Sequence, residues 1–277
     1  MSETLATTTA PRLTSLSHGG GCGCKIAPGI LAQLIGQSTL PTQFFPDLLV
    51  GTETADDAAV YRINEHQAIV ATTDFFMPIV DDPHDFGRIA ATNALSDIYA
   101  MGATPLMALA IVGMPINVLP HSTIAAILEG GASVCRDAGI PLAGGHSIDS
   151  VEPIYGLVAI GIVDPRQLKR NADAQAGDVL ILGKPLGVGI LSAALKKELL
   201  DATGYAAMIS ATTQLNRPGP DLAQLPGVHA LTDVTGFGLL GHALEMAKGA
   251  QLTACIDAAA LPLLPGIQTF AEQGVVT

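Results

Sequence analysis

Two thiols, Cys22 and Cys24, flank a single glycine, Lys25 follows at once, and Gly19-Gly20-Gly21 lead in. Glycine leaves the backbone permissive, so the stretch is predicted to be a mobile loop rather than a helix or strand. A lysine beside a thiol lowers its pKa, and the thiolate is the reactive form. Half of a zinc site and a redox dithiol are the competing readings. Zinc wants about four ligands, and Cys135, predicted on a helix, and Cys255, predicted in a strand, stand apart as buried small hydrophobes. The spacing is not Cys-x-x-Cys. A reactive nucleophile or carrier fits the residues best.

The second constellation is acidic. Asp56 and Asp57 precede a predicted strand, Asp74 and Asp233 each close one, and Asp97 shares a helix face with Asn93, four residues away. Carboxylates on rigid ends suit hard, oxygen-seeking cations. Any one such Asp also serves as a cap or turn residue. The adjacent pair at 56 and 57 repels itself unless a cation or a partner relieves it. Two glycine turns, Gly144-Gly145-His146-Ser147 and Thr235-Gly236-Phe237-Gly238, offer phosphate cradles or plain turns. Neither they nor Cys22–Ile26 match the P-loop pattern. Of the seven His, His146 is the functional candidate; His66, His84, His121 and His229 read as solvated, and His18 and His242 stay open.

These groups need rigid positions. The chain has 277 residues, 49% of them hydrophobic, enough for one large domain or two ordinary ones. Thirty Gly and eighteen Pro imply short elements and many turns. A helix is predicted over 26–37, a hairpin over 58–63 and 68–73, a helix from Phe86 to Met101 stopped by Gly102, and a strand from Pro105 to Val112. A helix capped by Ser122 and closed by Gly139, a brief strand from Ile140 to Ala143 and a strand from Ile154 to Val163 follow. The polar stretch 164–177 marks a domain boundary. Beyond it, strands are predicted at 179–182, 228–231 and 253–256, with helices after Gly189, from Tyr205 and from Leu239. Strands and helices mixed with hairpin links indicate an α+β fold.

Net charge of -12 argues against a nucleic-acid partner, which needs a basic face. An acidic chain that handles phosphates does so through divalent metals held by carboxylates. Gly, Pro and charges break every apolar run, so no membrane span is expected. Residues 1–17 show no secretory signal and read as a disordered lead-in. Four cysteines without a disulfide framework suggest a reduced, cytoplasmic setting.

Taken in order, His18-Gly-Gly-Gly-Cys-Gly-Cys-Lys25, Thr54-Ala-Asp-Asp-Ala-Ala-Val60, Thr72-Thr-Asp-Phe-Phe76, Asn93-Ala-Leu-Ser-Asp97, Gly144-Gly-His-Ser-Ile-Asp149 and Thr232-Asp-Val-Thr-Gly-Phe-Gly238 closely resemble the selenophosphate synthetase (selenide, water dikinase) family. The Gly-Cys-Gly-Cys-Lys run separates that family from aminoimidazole ribonucleotide synthetase and thiamine monophosphate kinase, which share the carboxylates. The resemblance implies a two-domain, aminoimidazole-ribonucleotide-synthetase-like (PurM-like) α+β fold. A first domain over 18–165, a mixed sheet with helices on one face, would bind ATP and metal and dimerise; 166–277 would form an α/β domain. It implies an ATP-dependent phosphotransferase with paired acceptors that turns selenide, ATP and water into selenophosphate, AMP and phosphate.

The resemblance also assigns roles. Cys22 matches the catalytic position, and Lys25 the essential lysine at the polyphosphate. Asp57, Asp97 and Asp233 match magnesium ligands. Thr54, Ala55, Asp56, Asp74, Asp97, Gly145, His146 and Ser147 match nucleotide-contacting positions. Members are homodimers that share the site across the interface. Family members continue past the position of Thr277, so an incomplete second domain and weak turnover are expected. Two alternatives are an ATP-dependent enzyme of the same superfamily acting on another small substrate and a non-catalytic Mg-ATP or selenium-binding remnant; Cys22→Ala separates the first of these from selenide chemistry.

Overall fold

The structure, a computed structural model, describes residues 11–21, 25–26, 28–37, 45–52 and 56–276. The first half runs α1 (Pro28–Gln37), β1 (Leu48–Val50), β2 (Ala59–Asn64), β3 (Gln67–Phe76), α2 (Pro83–Ala100), β4 (Thr104–Met114), α3 (His121–Ala138), β5 (Leu142–Asp149) and β6 (Ile154–Val163). The six strands form one sheet in the order β1-β2-β3-β6-β4-β5. Every pairing is antiparallel except β4 with β5, which α3 connects as a crossover.

Alternation along the strands puts one face against α2 and α3. Val60, Val70, Phe76, Leu157 and Ala159 are buried there with Phe86, Leu95, Ile98 and Ile127 from the helices. The helix α2 begins at Asp82, whose carboxylate accepts the Asp85 N–H at 2.8 Å, with Pro83 in its first turn. It lies so close to α3 that a Cβ on Gly87 would come within 1.9 Å of the Ile127 carbonyl oxygen and one on Gly130 within 2.1 Å of that of His84. The opposite face is open: Tyr61 and Ile69, paired across β2 and β3, are exposed together with Ile63 and Phe75.

The second half carries α4 (Val188–Lys196), α5 (Ala202–Thr213), α6 (Gly219–Ala223), α7 (Gly238–Gly249) and α8 (Ile267–Glu272). The strands expected at 179–182, 228–231 and 253–256 are absent among the described residues. A strand needs a neighbour for its N–H and C=O groups, and here Val179 is 82% and Ile181 91% exposed, with only an isolated bridge from Leu186 to Leu263 nearby. Three other expectations change. Asp74 lies inside β3, which runs on to Phe76. Pro120, not Ser122, occupies the cap of α3. Residues 11–17, expected in a disordered lead-in, are folded: Leu13–Leu16 is a 3-10 turn, Leu13 is buried, and Thr14 donates its N–H (3.0 Å) and hydroxyl (2.6 Å) to Asp81. Among the described residues no helix is long and apolar enough to cross a membrane.

Candidate active site

The helix α2 and the strand β3 present a matched pair of side chains each. Asn93 Nδ2 donates to Asp74 Oδ2 at 2.6 Å, and Thr72 Oγ1 donates to Asp97 Oδ2 at 2.6 Å. Four residues of helix advance about 6 Å and two of strand about 6.6 Å. The two spacings match with the elements running in opposite directions, so both bonds form at once. Asp74 and Asp97 are thereby buried and fixed.

Two more carboxylates arrive from elsewhere. Asp57 stands just ahead of β2, and its Oδ1 accepts the Thr232 hydroxyl at 3.2 Å. Asp233, the next residue along, is buried at the end of the segment that leads into the Thr235–Gly238 turn. Asp57 Oδ2 and Asp233 Oδ2 are sealed from solvent and have no hydrogen-bond partner. An unpartnered buried carboxylate oxygen is costly; beside a second one it is the donor arrangement a divalent cation relieves.

The charges interact strongly. Burial, then the Asp233 charge, pushes the Asp57 carboxyl well above the usual range. Burial does the same to Asp97, reinforced by Asp233, Asp57 and Asp74 in turn. Asp74 is raised by burial, against the pull of Lys25. Asp233 is raised by burial too, opposed by Ser96, Lys25 and Lys184. The four acids form one ring of negative potential with too little protein cation to balance it.

Lys25 is the chief of those cations. Its Nζ is 3.6 Å from Asp74 Oδ2 and 6.0 Å from the centre of the Phe237 ring. The residue after the thiols thus reaches both the first-half carboxylates and the second-half glycine turn. Gly21, ahead of them, bridges to Met77, just past β3. Cys22 itself, with Cys24, Thr54 and Ala55, lies outside the described residues.

His242, left open by the sequence, is buried on α7. Its Nε2 accepts the Thr235 N–H at 3.2 Å, so the neutral ring carries its proton on Nδ1, which is buried 3.1 Å from Glu245 Oε2 but outside hydrogen-bond geometry with it. Asp57, Asp233 and His242 each bring a ligand atom within 4.8 Å of the others. With Nε2 on the Thr235 N–H, His242 holds the turn in place beside the two carboxylates. Burial pushes its pKa down, opposed by Glu245.

Other expected residues behave differently. The Asp56–Asp57 pair is split: Asp56 Oδ1 accepts the Asn171 N–H at 2.7 Å and ties the start of β2 to the polar stretch after β6. Gly145, His146 and Ser147 are not in a turn but inside β5, and all are exposed. Gly145 is glycine because a Cβ there would come within 2.0 Å of the Ala110 carbonyl oxygen on β4. Register places Asp74, Leu157, Ala110 and Gly145 in one row across four strands. Three strand steps separate Gly145 from Asp74 by about 14 Å, so the chain does not bring the Gly-His-Ser run to its own carboxylate ring. Cys135 is buried on α3 as expected, its thiol raised to about 11 by burial; Cys255, expected buried in a strand, is exposed outside one. Of the His expected to be solvated, His229 pairs with Asp178 at 2.8 Å.

The sequence matches the family models of the AIR synthase related protein, N-terminal domain over residues 55–163 and C-terminal domain over 175–274. A selenide, water dikinase of Pseudomonas straminea is 82% identical over 267 residues, covering 96% of this chain and 75% of the relative. That of Paraburkholderia xenovorans is 77% identical over 271 residues (98% and 76%), and that of Rhizobium meliloti 61% over 270 (98% and 77%). Among solved structures, thiamine monophosphate kinase from Aquifex aeolicus superposes with a TM-score of 0.68 at 19% identity, covering 89% of this chain and 81% of that one. The hydrogenase maturation protein HypE in complex with ATP superposes at 0.64 and 19% identity (96% and 77%). The last two establish the fold.

Proposed function

The chain belongs to the selenide, water dikinase family, and from that premise we propose that it makes selenophosphate, AMP and phosphate from selenide, ATP and water at the ring of Asp57, Asp74, Asp97 and Asp233. The observation that carries this reading is the pair of buried, unpartnered oxygens, Asp57 Oδ2 and Asp233 Oδ2, facing a ring short of positive charge. Their chemistry fits magnesium, with Asp57, Asp97 and Asp233 as its protein ligands. Bound there, magnesium would neutralise charge on the polyphosphate of ATP.

The protein's own groups supply the rest. Lys25, held between Asp74 and Phe237, donates its ammonium to the polyphosphate and swaps a carboxylate partner for a phosphate one. Asn93 and Thr72 hold Asp74 and Asp97 in place against their mutual repulsion. The Cys22 thiol, three residues before Lys25, is the nucleophile or escort for selenide, a soft anion suited to sulfur. Thr54, Ala55, Asp56, Asp74 and Asp97 contact the nucleotide.

Gly145, His146 and Ser147 contact the nucleotide of a second copy, since they stand about 14 Å from this chain's own ring. The open face of the sheet, with Tyr61, Ile63, Ile69 and Phe75 exposed, supports that homodimer. The first domain spans 18–165 and the second 166–277, the joint lying in the stretch between the two family matches. A reducing cytoplasmic setting suits a free exposed thiol at Cys255 and an oxidisable substrate.

The test is an anaerobic incubation with ATP, magnesium and selenide, followed by phosphorus NMR. Selenophosphate and AMP should appear together, only with selenide, and vanish in Cys22→Ala. ATP consumption that is indifferent to selenide and to Cys22 would overturn the reading.

A further inference from the structure

The folded segment at residues 12–17 touches both halves of the chain. On one side Leu13 is buried in the first-half core. Asp81, just ahead of α2, accepts the Thr14 N–H and hydroxyl and, at 2.8 Å, Arg12 Nε. On the other side the segment meets the C-terminal end of α4. Arg12 donates Nη1 to Glu198 and, at 3.4 Å, Nη2 to the Leu195 carbonyl. Lys196 Nζ donates to the Ser17 carbonyl at 3.3 Å. Farther along, Gly21 is bridged to Met77 of the first half. The segment that leads to Lys25 thus starts from a point gripped by both halves.

The two grips differ in kind. The first-half grip is sealed, with Leu13 and Thr14 both buried. The grip on α4 is polar and wet: in the Arg12–Glu198 pair the side chains are 39% and 74% exposed. Salt screens such a pair. Glu198 is also strained. Its N–H closes α4 on the Leu195 carbonyl at 2.9 Å, and that of Leu199 closes it on Ala194 at 2.9 Å. This is the helix stop that glycine favours, because the residue takes a left-handed conformation. Gly139 takes it after α3 and Gly274 after α8, whereas Glu198 adopts φ of +59° with a side chain. Gln251, past α7, is the other non-glycine residue so placed among those described. What Glu198 gains for its strain is reach, since a glycine there has no carboxylate for Arg12.

We infer that residues 12–17 form a strap, anchored in the first half and clipped to the end of α4 by Arg12, Glu198 and Lys196, whose clip opens with ionic strength while its anchor holds. The space beneath fits a clip rather than a packed joint. Asp81, Leu195, Leu200 and Tyr205 line an open cleft of about 450 Å3 between the start of α2 and the α4–α5 connection. Opening the clip frees the end of α4 without unfolding either half, so the strap sets how far the halves part at this edge. The inference needs no bound ligand and stands apart from the reading of the carboxylate ring.

The test is amide hydrogen exchange of the full chain, read by mass spectrometry, between about 0.01 M and about 1 M sodium chloride, where the screening length falls from about 30 Å to about 3 Å. Amides at 193–199 should exchange about 3–10-fold faster at high salt, while those of β3 and β6 keep their rates. Arg12→Ala should exchange at the fast rate in both salts. Glu198→Gly is the sharper variant, because the two readings of that residue differ in sign. If Glu198 only stops the helix, glycine relieves its strain and slows exchange at 193–199. The strap requires the reverse, faster exchange in low salt, with the thermal midpoint as the folding control. Exchange at 193–199 that ignores salt, or slows in Glu198→Gly, overturns the strap. So does salt-driven loosening that spreads equally to β3 and β6.

Discussion

Asp57→Asn should stabilise the chain in a chelator and remove most of its stabilisation by magnesium. The ligand atoms of Asp57 and Asp233 lie within 4.8 Å of each other, both buried. Two unit charges at that separation repel by about 3.5 kcal/mol at an effective dielectric of about 20. Proton uptake, which the raised carboxyl pKa values describe, relieves part of this. The net gain on neutralising one partner is then about 1–3 kcal/mol. Asparagine keeps the oxygen that accepts the Thr232 hydroxyl and offers an N–H toward Asp233 in place of a second charge. For a chain of this size each kcal/mol moves the thermal midpoint by about 2–4 °C. In saturating magnesium the parent gains about 2.7 kcal/mol at a hundredfold excess over Kd, and the variant, short of a ligand, far less. Calorimetry of both proteins with and without magnesium reads the two effects. A variant less stable than its parent in chelator, or raised equally by magnesium, refutes the reasoning.

In chelator, stability should fall as pH rises. Asp57, Asp74, Asp97 and Asp233 all have raised carboxyls, so above the usual carboxylate range the folded chain holds more protons than the unfolded one. Urea midpoints at about pH 5 should exceed those at about pH 8, and magnesium should flatten the slope; a midpoint that climbs with pH contradicts the ring. Ile69→Glu, on the open face opposite Tyr61, should yield a monomer by light scattering while changing monomer stability by less than about 0.5 kcal/mol. Gly145→Ala, with φ of +151° and its Cβ driven into the Ala110 carbonyl, should cost about 2–4 kcal/mol and release β5 amides to hydrogen exchange; unaltered protection there would show that β4 and β5 tolerate the side chain.

Much of the first half was legible in the sequence because its periodicities are local. The strand Ile154–Val163 falls where its β-branched run puts it, and the four-residue spacing of Asn93 and Asp97 does place them on one face of α2. The glycines at 144 and 145 misled for a physical reason. Glycine at a strand's closest contact looks, in sequence, like glycine in a turn. The second half was less legible: apolar runs at 179–182, 228–231 and 253–256 have strand composition, and composition does not supply the neighbouring strand that a ladder needs. His242 and Arg12 carried no local signal. Arg12 and Glu198 are 186 residues apart in sequence and meet only where the strap crosses to α4. The acids themselves were legible, and the resemblance set Asp57 apart from Asp56; the physical reason, Asn171 claiming Asp56, came only with the structure.

The most direct test of the central claim is crystallographic: anomalous scattering from Mn2+ bound to the chain with a non-hydrolysable ATP analogue. A peak is expected between Asp57 Oδ2 and Asp233 Oδ2, within bonding distance of both and adjoining Asp97, with Lys25 Nζ moved from Asp74 to the polyphosphate. A peak held by His242 without Asp233, or nucleotide bound with Lys25 still paired to Asp74, would contradict it.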